Sequence, residues 1–135
     1  FIIANGLETE TDYPYSGVHH NQCLISGDKI RVRVDKGYRL TADENYIADW
    51  VATMPVPQSI LFYKSGIYNP SPAECGHPVA AHAMAIIGYG IDNGRPFWTV
   101  KNSWGPSWGE NGYMRMARGS NVCGFRNKVV APVIN

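Results

Sequence analysis

The chain has 135 residues, enough for one domain of ordinary size. Hydrophobic residues make up 44% and charged residues 17%, which supports a packed core and excludes a disordered chain. A net charge of +1, from 12 basic and 11 acidic side chains, excludes an electrostatic pull toward nucleic acid or a membrane surface, and no apolar run approaches the ~20 residues of a membrane span.

The opening Phe1-Ile2-Ile3-Ala4-Asn5-Gly6 reads as the tail of a helix ended by Asn5-Gly6. It lacks a basic start and a long apolar run, so it is not read as a signal peptide, and the chain reads as beginning inside a domain. Glu8 to Gly17 is polar, with a proline and a glycine, and reads as extended loop. His19-His20-Asn21-Gln22-Cys23 follows. With Cys75 and His77 it offers metal-ligating residue types, but zinc sites need two ligand pairs at matched spacings, so the reading adopted is loop histidines beside a disulfide cysteine, with no metal. Ile30-Arg31-Val32-Arg33-Val34 alternates apolar and basic residues and predicts a half-buried strand.

Thr41 and Glu44 form a capping-box pattern, and Ile47, Trp50, Val51 and Met54 follow at helical spacing. This predicts the principal helix over residues 42–54, ended by Pro55-Val56-Pro57. Gln58 to Tyr63 reads as one helical turn, and Lys64 to Pro70 as turn.

Two strand-like runs come next, one from Ala81 through Gly90 and one over Pro96-Phe97-Trp98-Thr99-Val100. Joined by a loop rich in Gly, Asp and Asn, they read as an antiparallel pair. The pairing brings His82 near Asn102. A histidine in an apolar strand is more often a hydrogen-bonded core residue than a catalyst. A histidine whose ring is oriented by an Asn amide, however, is half of a Cys-His-Asn nucleophilic site. The loop from Trp104 to Tyr113 is heavy in Gly, and its Trp104 and Trp108 suit either a site roof or a sheet cap. Met114 to Arg118 predicts a strand, Asn121 to Gly124 a turn, and Val129 to Ile134 a last strand. The sum is an α+β domain, one principal helix with five or six short, mainly antiparallel strands.

There are three cysteines, so at least one lacks an internal partner. Cys75 and Cys123 are read as the bridged pair, which implies an oxidising compartment; three buried thiols in a reducing one is the other reading.

The sequence resembles the C-terminal half of the papain family of cysteine proteases, and is similar to its cathepsin L-like members. Gly6-Leu7-Glu8-Thr9-Glu10 with Asp12-Tyr13-Pro14-Tyr15 looks like the family's entry to its second domain. Phe62-Tyr63-Lys64-Ser65-Gly66-Ile67-Tyr68 looks like its FY-x-x-GIY turn. His82-Ala83-Met84-Ala85-Ile86-Ile87-Gly88-Tyr89-Gly90 looks like its histidine motif. Trp98 to Gly105, with Trp108-Gly109-Glu110-Asn111-Gly112-Tyr113, looks like its asparagine motif. The match covers nearly all of residues 1–135.

The resemblance implies a papain-like C-terminal half with an antiparallel, barrel-like sheet. It implies His82 as catalytic base and acid, Asn102 as holder of its ring, and Trp104 and Trp108 in support. Ala80, Ala81 and Ala83 would line the substrate cleft. Cys75–Cys123 would be this domain's disulfide, and Cys23 would pair with the family's first domain. Peptide or protein substrates, no cofactor, and a lysosomal or secreted location follow from the same resemblance.

Two features depart from the family pattern. The nucleophile motif Gln-Gly-x-Cys-Gly-Ser-Cys-Trp is absent from these 135 residues, so the partner implied is a first domain that carries the catalytic cysteine. The expected helix also runs straight into Pro55-Val56-Pro57, where family members place a Gly-Pro-Val/Ile-Ser-Val-type strand; the chain reads as lacking that strand after residue 54. The alternative to a cysteine endopeptidase is a non-catalytic homologue that binds peptides or proteases as a decoy or inhibitor.

Overall fold

A computed structural model describes residues 1–39 and 51–133, in two compact units. The first unit holds Phe1–Tyr38 and the chain from Pro132 onward. Its helix α1, Ile2–Asn5, ends at Gly6 with φ +80°, as the Asn-Gly pair predicts. The alternating run at Ile30–Val34 is not a regular strand. Leu7 forms a single bridge with Val32, donating its N–H to the Val32 carbonyl and accepting from Arg31 and Val32 N–H. One bridge satisfies these groups locally without a ladder, and regular strand geometry begins only at β1, Lys36–Arg39.

The second unit, Arg39–Ala131, is mostly β, a curled half-barrel with only short helices among the described residues. Its strands are β2 (Val51–Pro57), β3 (Ile67–Tyr68), β4 (Pro78–Asp92), β5 (Arg95–Lys101), β6 (Tyr113–Ala117) and β7 (Val129–Val133) as far as Ala131. They lie in the order β7-β2-β4-β5-β6-β3, antiparallel except for the β3–β6 pair.

The helix expected over 42–54 is corrected at its C-terminal end. Val51 to Met54 belong to β2, and the rest of that expectation lies outside the described residues. Proline explains the change. It disfavours helical backbone in the residue before it, so Pro55 and Pro57 push Met54 and Val56 toward extended geometry. β4 then supplies the partner, from Val51↔Ala85 to Pro57↔Pro78. The two prolines are tolerated because β7 meets β2 only at Val51 and Ala52. The one-turn reading of Gln58–Tyr63 holds, as a 3-10 turn over Gln58–Phe62.

The core forms where strand alternation turns apolar side chains inward. Met84 and Ile86 of β4, Val100 of β5 and Met114 and Met116 of β6 are at most 4% exposed. Phe125 and Val129 close the core from the C-terminal segment.

A second short helix, α2 (Pro72–Gly76), has the sequence signature of a helix start. Ser71 and Glu74 form a reciprocal capping box, with Pro72 in the first turn. It carries Cys75, which is bonded to Cys123 across 48 positions (S–S 2.09 Å). That bond removes Cys75 as a thiolate ligand. Among the described residues no group of three or more His, Cys, Asp or Glu is placed to hold a metal. Cys23 is free and exposed.

Candidate active site

The site grows out of the β4–β5 hairpin. Asn93 and Gly94 both have positive φ (49° and 75°), the backbone of a type I′ turn that suits an Asn-Gly pair. The turn pairs Asp92 with Arg95, and the register runs unbroken to Gly88↔Thr99. A bulge follows, and the ladder resumes at Ile86↔Val100 and ends at Ala85↔Lys101. The extra residue, Ile87, shifts each later cross-strand partner by one position. The ladder stops at Lys101, and the chain then leaves β5 as the loop that carries Asn102 and Trp104.

His82 and Trp104 do meet. Their rings stack with centroids 4.9 Å apart and planes 17° from parallel. The Nε2 of His82 lies 2.8 Å from Asn102 Oδ1. That oxygen also accepts the Ser103 N–H at 2.7 Å. Asn102 is 8% exposed, so the His–Asn contact is shielded from water. On its other side His82 faces β2, where Met54 is its ladder partner and is buried.

Trp108 supports Trp104 edge to face, with ring centroids 5.3 Å apart. It is itself buried, and its indole N–H donates to the Ile60 carbonyl at 3.1 Å. The base of the loop is tied by the Asn102 N–H to the Gly112 carbonyl at 3.0 Å. Gly109 must be glycine: its φ is +56°, and a Cβ would stand 2.5 Å from the Tyr113 carbonyl oxygen.

Behind the loop Glu110 accepts the Gly66 N–H at 2.8 Å and is forked by Arg115, whose Nε and second terminal nitrogen reach it at 3.0 and 2.8 Å. Arg115 also donates to Asp92 at 2.6 Å. The guanidinium holds the Glu110 carboxyl below the usual carboxylate range. Tyr63, which donates to the Gly66 carbonyl at 2.7 Å, has its phenol pushed up by burial. Glu110, Arg115 and Asp92 escaped the sequence reading, although Glu110 stands within the asparagine motif and Arg115 in the next strand.

The three alanines divide between faces. Strand alternation puts Ala80 on the face of His82, while Ala81 and Ala83 point the other way, and all three are exposed. Ala83 lines a shallow hollow with Ala85, Lys101 and Ser103.

The model of the papain family cysteine proteases matches residues 1–133. The chain belongs to the papain family of cysteine proteases. Within the family it is 38% identical over 136 residues to mouse (Mus musculus) cathepsin F, covering 96% of this chain and 29% of that protein. It is 37% identical over 139 residues to cysteine proteinase 3 of Solanum lycopersicum, covering 96% of this chain and 38% of that protein. Among solved structures, digestive procathepsin L 3 of Tenebrio molitor larval midgut matches with a TM-score of 0.87 and 27% identity, over 98% of this chain and 46% of that one. The bromelain protease of Ananas comosus, in complex with the E64 inhibitor, matches with a TM-score of 0.81 and 29% identity, over 99% of this chain and 66% of that one. The chain thus spans 38% and 29% of the length of these two curated relatives, and corresponds to roughly the C-terminal half of cathepsin L-like and papain-like proteins.

Proposed function

We propose that this chain is the histidine- and asparagine-bearing half of a cysteine endopeptidase, with His82 as base and acid and Asn102 as its orienter. The observation that carries the reading is the His82 Nε2–Asn102 Oδ1 contact at 2.8 Å under the stacked Trp104 ring. An amide carbonyl only accepts, so the contact leaves Nδ1 as the nitrogen free to exchange a proton with a thiol.

The nucleophile is a cysteine outside these 135 residues. The imidazolium beside it favours the thiolate, which attacks the scissile carbonyl carbon. As the C–N bond breaks, His82 gives its Nδ1 proton to the leaving amine, forming a thioester. His82 then takes a proton from water, which attacks the thioester and frees the acid and the thiol. Asn102 orients the ring without the charge a carboxylate would add. Peptides and proteins are the substrates, and Ala80 leaves room beside His82 for a bulky apolar side chain. No cofactor takes part.

β2 stands in for the strand that family members place after the helix, so that β4 keeps a ladder partner where the chain is short. The Cys75–Cys123 bond fits a lysosomal or secreted location. The 135-residue chain alone does not hydrolyse peptides.

Two measurements test this reading. The coding sequence upstream of Phe1 should encode Gln-Gly-x-Cys-Gly-Ser-Cys-Trp; a native start at Phe1 would contradict it. The purified 135-residue chain should leave a fluorogenic peptide uncut, and cleavage blocked by a thiol-directed epoxide would overturn the assignment of the nucleophile to another segment.

A further inference from the structure

We infer that Glu110 is a positioning residue for His82, acting through the Trp108–Trp104 pair. The inference rests on the reading of His82 as the catalytic base. The side-chain bonds of Glu110 go to Gly66 and Arg115. It sits in the loop that begins at Asn102 and ends at Tyr113, the loop that brings Asn102, Trp104 and Trp108 to the site.

Short internal bonds keep the loop compact, among them Trp108 N–H to the Gly105 carbonyl and Gly112 N–H to the Trp108 carbonyl. Besides the Asn102 and Trp104 contacts to His82, two further side chains fix it to the rest of the unit. Trp108 holds the Ile60 carbonyl, and Glu110 holds the Gly66 N–H together with the Arg115 fork. Both anchors grip the turns on either side of Tyr63, whose hydroxyl bonds the Gly66 carbonyl and accepts the Arg115 N–H. Arg115 is held in turn by Asp92, at the hairpin turn of β4 and β5. Glu110 therefore joins the loop, the Tyr63–Gly66 turn, β6 and the hairpin in one charge-assisted network. Trp108 stands two residues before it and supports Trp104, and Trp104 covers the imidazole. Releasing Glu110 lets the indoles shift and admits water to the His82–Asn102 bond.

The readout is the solvent-exchange rate of the His82 Nε2 proton in the folded 135-residue chain, measured by NMR beside the Ile86 and Val100 amides of the core ladder. Glu110→Ala should speed exchange of the imidazole proton by about tenfold or more, as for loss of one charge-assisted hydrogen bond that closes a local opening. The two core amides should stay within about twofold. Glu110→Gln, which keeps an acceptor for the Gly66 N–H and loses the ion pair, should fall between and restore part of the protection. An unchanged imidazole rate overturns the proposal, and so does an equal rise in the core amides, which would mean global opening. If Glu110→Ala does not fold, Glu110→Gln decides on the same terms. None of these rates depends on peptide hydrolysis. A chain shown to have no peptidase partner would remove the catalytic reading and leave the positioning result standing.

Discussion

The Oδ1 of Asn102 takes two N–H groups at once, His82 Nε2 at 2.8 Å and the Ser103 backbone at 2.7 Å. The second fixes the first. A backbone N–H can only donate, so the atom facing it must be the carbonyl oxygen and not the amide nitrogen. The imidazole then has to present a proton at Nε2. The same orientation buries Asn102 Nδ2 with no partner among the described residues. Such a group costs roughly 1–3 kcal/mol, which marks a site where geometry is held against stability.

Trp108 is the anchor of the roof. Trp108→Phe keeps an aromatic ring against Trp104 and Tyr63 but removes the donor to the Ile60 carbonyl. The expected loss is about 1–3 kcal/mol for an acceptor left buried and unmatched. Denaturant unfolding followed by circular dichroism reads it, with an unchanged slope showing that only stability moved.

The Glu110–Arg115 pair gives a pH signature. Arg115 holds the folded carboxyl below its unfolded value, about 4.3. A carboxyl depressed in this way adds stability above its unfolded value and loses it as pH falls through the folded one. The advantage of the natural chain over Glu110→Gln should be full near pH 7, shrink below about pH 4 and vanish in stronger acid. Unfolding free energies of the two proteins across that range check it.

Reduction of the Cys75–Cys123 bond opens a 48-residue loop in the unfolded chain. Chain entropy alone sets the cost at about 4 kcal/mol. Unfolding midpoints with and without reductant should separate accordingly, and the Cys75→Ser/Cys123→Ser double variant should behave like the reduced form.

Much of the site was legible because hairpins are local. The Asn93-Gly94 pair, the alternation in β4 and β5 and the apolar pattern of Met114 to Ala117 each predict what forms. What brings His82 and Trp104 to one face was not legible. The loop that carries Trp104 leaves the ladder after Lys101, and the bulge at Ile87 is signalled in sequence only by Gly88 beside it. The helix over 42–54 failed at its end because two prolines and a waiting β4 outweigh helical spacing at Val51 and Met54. The Ile30–Val34 strand failed because alternation promises a strand only where a partner runs alongside. α2 is legible in Ser71-Pro72-Ala73-Glu74, a capping box with proline in the first turn. The ion network was not, since its members Gly66, Asp92, Glu110 and Arg115 come from four separate segments.

The most direct test is the tautomer of His82 in the 135-residue chain, read from its two imidazole 15N shifts where the ring is neutral. The proton should be fixed on Nε2, with Nδ1 bare and this preference lost in Asn102→Ala. A proton resident on Nδ1, or a tautomer mixture that Asn102→Ala leaves unchanged, would contradict the role of Asn102 as the orienter of His82.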